Sequence, residues 1–287
     1  MRAFFFLFFF LFGADASFAE VASTLCWAVE EDSTHCEVAL QFEDRFELLR
    51  EKHGIKATDF EASLSALGKR AKSAARSRSF FIETQDHSFI LKSISMDEWE
   101  TLWQISDRYF NYWKVNPLSR IVPFYRVYVV KGKTLHFVLV MPNLVSDPAG
   151  VTRLYDLKGR EKRPWKIRHD GVIDDDSLPE NPAFQITHKT RSLLLRDIAF
   201  LRREGIMDYS LFAVQQGEIP AEVHIIDYLT QYVRKKRSVA RTFGEIFLDQ
   251  DQLSIVRPVL YSDRLRAMID RFHFGWHQMH GCCSDDE

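Results

Sequence analysis

Leu154-Tyr-Asp-Leu-Lys-Gly159 is the stretch on which the reading of this chain turns, together with Met207-Asp-Tyr-Ser-Leu211 and Ile225-Ile-Asp-Tyr228 further on. Each word sets an acid or a lysine among apolar residues able to hold it on a strand or turn. Asp156 and Lys158 flank Leu157, so strand alternation puts a carboxylate and an ammonium on one face. Alone, such a pair is a surface ion pair of little energetic weight. In sequence, the three words supply what transfer of a phosphoryl group demands: fixed cations and a carboxylate for the incoming hydroxyl.

Downstream, Leu194, Ile198 and Leu201 recur at helical spacing between Thr187 and Glu204, and Gly205 closes the helix. Asp208 stands on the turn that follows, where an aspartate commonly caps the next element. Glu222-Val-His-Ile-Ile226 is a short strand that delivers Asp227, and His224 points elsewhere by alternation. A basic run from Tyr232 through Lys235, Lys236 and Arg237 to Arg241 meets no acid until Glu245. Near an anionic leaflet each Lys or Arg contributes about 1 kcal/mol. Asp174-Asp-Asp176, beside Pro179 and Pro182, reads as a solvated loop, because consecutive loop acids seldom converge on one ion.

Upstream, Phe80-Phe-Ile-Glu-Thr84 and Ser88-Phe-Ile-Leu-Lys92 read as a hairpin, with Lys92 on the face opposite Phe89 and Leu91. Ser95 and Glu98 have capping-box spacing. They start a helix whose Trp99, Leu102, Trp103, Ser106, Phe110 and Trp113 form one stripe. Ile121–Val130 and Leu135–Met141 are strand candidates around the Lys131-Gly132-Lys133 turn, followed by Met141-Pro-Asn-Leu144.

The three words in this order resemble those of the phosphatidylinositol phosphate kinases, which phosphorylate the inositol ring of a phosphoinositide. The likeness runs over most of the chain. Phe46 to Ile55 and Asp59 to Leu64 are similar to the family's leucine-arginine helix, Gly-Ile turn and Asp-aromatic step. Val256 to Leu265 is similar to its closing helix. The resemblance implies an α+β fold of two lobes, with antiparallel sheets, flanking helices and an ATP cleft between the lobes. It implies that Lys92 binds nucleotide phosphates, that a carboxylate of the following helix pairs with it, and that Met141 and Leu144 contact adenine. Glu100 is preferred to Glu98 for the pairing, because Glu98 has a capping job. Asp156 and Lys158 would belong to the phosphate site and Asp208 would orient the inositol hydroxyl and take its proton. Asp227 would bind Mg2+, and Lys235, Lys236 and Arg237 would touch the membrane.

ATP and Mg2+ are the implied cofactors, and the implied partner is a phosphoinositide in a membrane surface, not nucleic acid. The implied product is a phosphatidylinositol bisphosphate, with the ring 5-hydroxyl the favoured acceptor, and a homodimer is left open. The chain departs from the family in two places. Ala75-Arg-Ser-Arg-Ser79 has no glycine where backbone would approach phosphate, and Arg160 stands where serine usually follows the glycine. A soluble inositol phosphate kinase and a non-catalytic phosphoinositide-binding scaffold are the rival readings.

With 287 residues and 46% hydrophobic content, the chain can bury a large core, and its net charge of -2 selects no partner. Residues 1–19 read as a signal-peptide-like segment: Arg2, an apolar run from Ala3 to Phe12, then small residues at Ala14, Ala16, Ser17 and Ala19. An uncleaved anchor and a wrong start codon are the alternatives. Residues 20–45 read as a linker, 46–275 as the catalytic domain and 276–287 as a tail. Cys26 and Cys36 are either a disulfide made in an oxidising compartment or free thiols. Membrane association at the cytoplasmic face is the expected location, with secretory or organellar targeting left open.

Overall fold

Alternation of buried and half-buried residues shapes the hairpin of β3 (Phe80–Thr84) and β4 (Phe89–Ile94), which pair antiparallel as expected. Phe80, Ile82, Phe89 and Leu91 are buried on one face, while Phe81, Ile90 and Lys92 lie on the other. In this computed structural model the described residues are 16–30, 36–72, 79–160, 171–178, 185–217, 222–233 and 256–279. They divide into two compact units.

The first unit takes in residues to Trp99, Tyr109–Pro117 and Pro123–Ser146. Its antiparallel sheet has the order β1-β5-β6-β4-β3-β2, with β1 at Glu37–Leu40, β2 at Leu67–Lys72, β5 at Arg126–Lys131 and β6 at Leu135–Pro142. The expected strand from Ile121 begins only at Arg126, because Pro123 has no N–H for a ladder. α2 (Glu43–Lys52) and α3 (Ala57–Ser65) flank the sheet through buried Phe46, Leu49, Phe60 and Leu64.

Of residues 20–45, read as a linker, the described 20–30 and 36–45 carry regular structure. α1 (Ala16–Glu30) buries Val21, Leu25, Cys26 and Ala28 and packs on α3, and β1 pairs with β5. Cys26 and Cys36 form a disulfide with their Cα atoms 5.8 Å apart, joining α1 to the residue before β1. Residues 1–15 and 280–287, most of the signal-like segment and the tail, lie outside the described residues, as do the Ala75–Arg78 part of the phosphate loop and Lys235, Lys236 and Arg237.

α4 (Met96–Val115) starts with the expected capping box: Ser95 N–H donates to Glu98 Oε2 at 2.8 Å, and Glu98 N–H donates to Ser95 Oγ at 3.3 Å. Its buried stripe is Trp99, Leu102, Ile105, Tyr109, Tyr112 and Trp113. Trp103, expected on it, is 40% exposed because a 3.6-residue period carries that position to the stripe's edge.

The second unit takes in Glu100–Arg108, Leu118–Val122 and the chain from Asp147. β7 (Arg153–Leu157), β8 (Val172–Asp174), β9 (Ser210–Gln215) and β10 (Glu222–Ile226) form a sheet in the order β10-β9-β7-β8. Its pairings are antiparallel except β7 with β8, which is parallel. α5 (His188–Arg203) is capped by the Thr187 hydroxyl, which accepts from Thr190 N–H at 3.1 Å. α5 and α6 (Pro258–Met279) pack against each other.

Candidate active site

Register brings the three sequence words to one end of the second unit's sheet. Leu157 pairs with Leu211 and Ser210 pairs with Ile226, so Lys158 leaves β7, Asp208 approaches β9 and Asp227 leaves β10 at that same end. Lys158 Nζ donates to Asp208 Oδ1 at 2.6 Å and to the Asp208 carbonyl at 2.8 Å, with both side chains partly exposed. Asp208 and Asp227 have φ of 63° and 59°, the left-handed region that aspartate tolerates better than most residues. Two backbone bonds tie their segments together: Met207 N–H donates to Thr230 O at 3.0 Å, and Tyr232 N–H to Gly205 O at 3.1 Å.

From behind, α6 holds the turn around Asp208. The Tyr261 hydroxyl donates to the Tyr209 carbonyl, and the two rings meet edge to face at 4.8 Å. Burial pushes the Tyr261 hydroxyl pKa well above its usual value, and the charge of Asp208 adds to the shift. Gly159 lies at φ +69°, and a Cβ there would come within 2.9 Å of Arg264 Cγ, so both backbone conformation and packing require glycine.

Sequence reasoning missed Asp175. Far from a solvated loop, Asp174 and Asp175 are buried. Asp174 Oδ1 accepts from the N–H groups of Asp176 and Ser177 and from the Ser177 hydroxyl, closing an Asx turn. Asp175 accepts from Lys158 N–H at 3.1 Å, Gly159 N–H at 2.8 Å and Arg160 Nε at 3.2 Å. Burial pushes its pKa up, opposed by the Lys158 N–H, the Arg160 guanidinium and the Gly159 N–H. Arg160, which stands where the family usually has serine, is engaged by Asp175. The Asp174-x-x-Ser177 spacing was the available signal for the turn.

The remaining site residues take their places separately. Asp156 sits on β7 opposite Phe212 and Asp174, on the half-buried face of that sheet. In the first unit, Lys92 pairs with Phe81 and Leu139, and Ile90 with Met141, so one sheet face gathers Lys92, Phe81, Ile90, Leu139 and Met141. Lys92 Nζ lies 5.7 Å from the centre of the Phe81 ring. Leu144 follows β6, next to Asn143, whose side-chain amide donates to Glu83 Oε1 at 2.6 Å. Glu100 is on α4 and half-buried. Among the described residues no cluster of three or more His, Cys, Asp or Glu has the makings of a metal cage.

The family described as Phosphatidylinositol-4-phosphate 5-Kinase matches residues 62–218, more than half of the chain. The chain belongs to this phosphatidylinositol phosphate kinase family. An Arabidopsis thaliana 1-phosphatidylinositol-3-phosphate 5-kinase is 31% identical over 69% of this chain and 12% of its own length. A putative kinase of the same name from that plant is 29% identical over 81% of this chain and 18% of its own. A phosphatidylinositol 4-phosphate 5-kinase of Schizosaccharomyces pombe is 32% identical over 58% of this chain and 24% of its own. The chain thus spans less than a quarter of the length of these relatives. Its α+β architecture, with the Asp-Leu-Lys-Gly word running off the end of β7, fits that membership.

Proposed function

We propose that this chain transfers the γ-phosphoryl group of ATP to the inositol ring of a phosphatidylinositol monophosphate, with the 5-hydroxyl as acceptor. The observation that carries the reading is Lys158 Nζ held by Asp208 at the sheet end from which Asp227 also emerges. The matched relatives are named as 5-kinases of phosphatidylinositol 3-phosphate and 4-phosphate, which supports the acceptor position.

In this reading, the inositol hydroxyl oxygen attacks the γ-phosphorus while its proton passes to the Asp208 carboxylate. The bond between γ-phosphorus and the bridging oxygen breaks, and ADP leaves. Asp208 accepts the proton because its carboxylate is fixed by the turn and steered by Lys158. The Lys158 ammonium offsets charge that builds on the transferred group. Lys92 and Met141 share an otherwise largely apolar sheet face, suited to nucleotide phosphates and base. Asp227 fits Mg2+: the ion takes one or two carboxylates and completes its shell with phosphates and water, so an exposed aspartate without a cage suffices. Bound there, Mg2+ would neutralise phosphate charge. The basic run through Lys235, Lys236 and Arg237 would hold an anionic membrane surface.

The Cys26–Cys36 disulfide supports an oxidising compartment over the cytosolic face. Among the described residues no helix is long and apolar enough to cross a membrane.

The test incubates the full chain with labelled ATP, Mg2+ and liposomes carrying each phosphatidylinositol monophosphate in turn, beside Asp208→Asn. Labelled bisphosphate from the wild type alone is the expected result. Liposome binding without product from any lipid would replace the kinase reading with the scaffold.

A further inference from the structure

We propose that Asp175 is a positioning residue of the phosphoryl-transfer site, holding the backbone of Lys158 and Gly159 so that the lysine ammonium meets Asp208. The inference rests on the reading above for its kinetic consequence, and on the hydrogen bonds themselves for its geometry. Asp175 is 2% exposed, and its two oxygens receive both successive N–H groups of the turn and the Arg160 guanidinium. A buried carboxylate with these donors has one low-energy orientation, because turning away would leave every partner unsatisfied.

The turn it grips is clasped from two sides. Arg264 of α6 packs against Gly159, and Asp175 anchors the peptide groups. Asp175 is itself set by its neighbour, since Asp174 closes the Asx turn through Ser177. The parallel pairing of β8 on β7 ends with Asp174 opposite Asp156, which brings Asp175 alongside the departing chain at Lys158. Lys158 reaches both the carboxylate and the carbonyl of Asp208 from this turn, so the position of its Cα helps set where the ammonium stands. Asp175 touches no reacting atom in this scheme; it acts through Lys158.

Asp175→Asn in the full chain tests this, because the amide replaces one accepting oxygen with a donor facing the turn's N–H groups. The expected result is kcat lowered on the order of 100-fold, the effect of about 1 Å of misplacement. KM for ATP and lipid should stay within about twofold, as for an interaction that matters only in the transition state. Hydrogen exchange should accelerate in the peptide spanning 154–160. Unchanged kcat, or a rise in KM alone, would overturn the proposal.

If the wild type makes no product, the kinase reading fails and exchange decides the positioning: faster exchange at Lys158 and Gly159 in the variant upholds it, and equal exchange refutes it. If Asp175→Asn does not fold, Ser177→Ala takes its place, loosening Asp175 through Asp174. It should lower kcat several-fold and speed exchange in the same peptide, and wild-type behaviour in both overturns the proposal.

Discussion

Arg126 meets Glu43 in a two-oxygen ion pair, Nε to Oε2 at 3.1 Å and Nη2 to Oε1 at 2.6 Å, with the guanidinium 5% and the carboxylate 16% exposed. Glu43 also accepts from Arg50 Nη2 at 2.7 Å, and both guanidinium groups lie against the Phe60 ring, at 4.9 and 4.6 Å from its centre. One carboxylate thus serves two buried arginines. Glu43→Gln should destabilise the chain by about 3 kcal/mol, because removing one partner leaves buried charge under-compensated. Urea unfolding measures it, and a loss under about 1 kcal/mol would mean that Glu61, which also accepts from Arg126 Nη2 at 2.6 Å, compensates the lost charge.

Gly159→Ala combines positive φ with a contact on Arg264. A loss of about 1–3 kcal/mol is expected from the backbone strain and the clash together. Adding Arg264→Ala should recover only the part due to the clash. A double-mutant cycle separates the two, and strict additivity would show that Arg264 moves aside without cost.

His53 lies against Trp113 and Tyr125, with Nδ1 3.0 Å from the Tyr125 hydroxyl. Burial lowers its pKa from 6.5, and the neighbouring Lys52 charge lowers it further. The unfolded chain therefore binds more protons than the folded one between the lowered pKa and 6.5. Stability contributed by neutral His53 is present above 6.5 and is lost as pH falls through the folded pKa. Urea midpoints should fall from pH 7.5 to pH 5, and His53→Gln should flatten that slope. An unchanged slope in the variant would assign it to other groups.

The Cys26–Cys36 disulfide closes a ten-residue separation. Constraint of the unfolded chain by so short a loop is worth about 3 kcal/mol. Reduction, or Cys26→Ser with Cys36→Ser, should lower stability by that order, and alkylation with mass analysis of the purified chain should find both thiols blocked. Two free thiols in chain folded without reductant would remove the argument for an oxidising compartment.

Where local pattern and final packing agree, the sequence was legible. Glu222–Ile226 is a strand at its expected bounds because period-two alternation matches a sheet with one buried face. Ser95 and Glu98 form their capping box because both partners lie within one turn. The grouping of Lys158, Asp208 and Asp227 followed from the motif words, while their shared sheet end required register, which no single word contains. β1 went unread because four residues carry little pattern, and their strand state depends on β5. Asp175 went unread because its partners lie about seventeen residues back, so its role exists only after β8 has aligned with β7.

The left-handed backbone at Asp208 and Asp227 has an evolutionary corollary. Such positions accept aspartate, asparagine and glycine with little difference in strain. Asparagine and glycine are each one base change from an aspartate codon. A lineage could therefore lose the chemistry at either position while the fold, and any selection acting on stability, registers almost nothing.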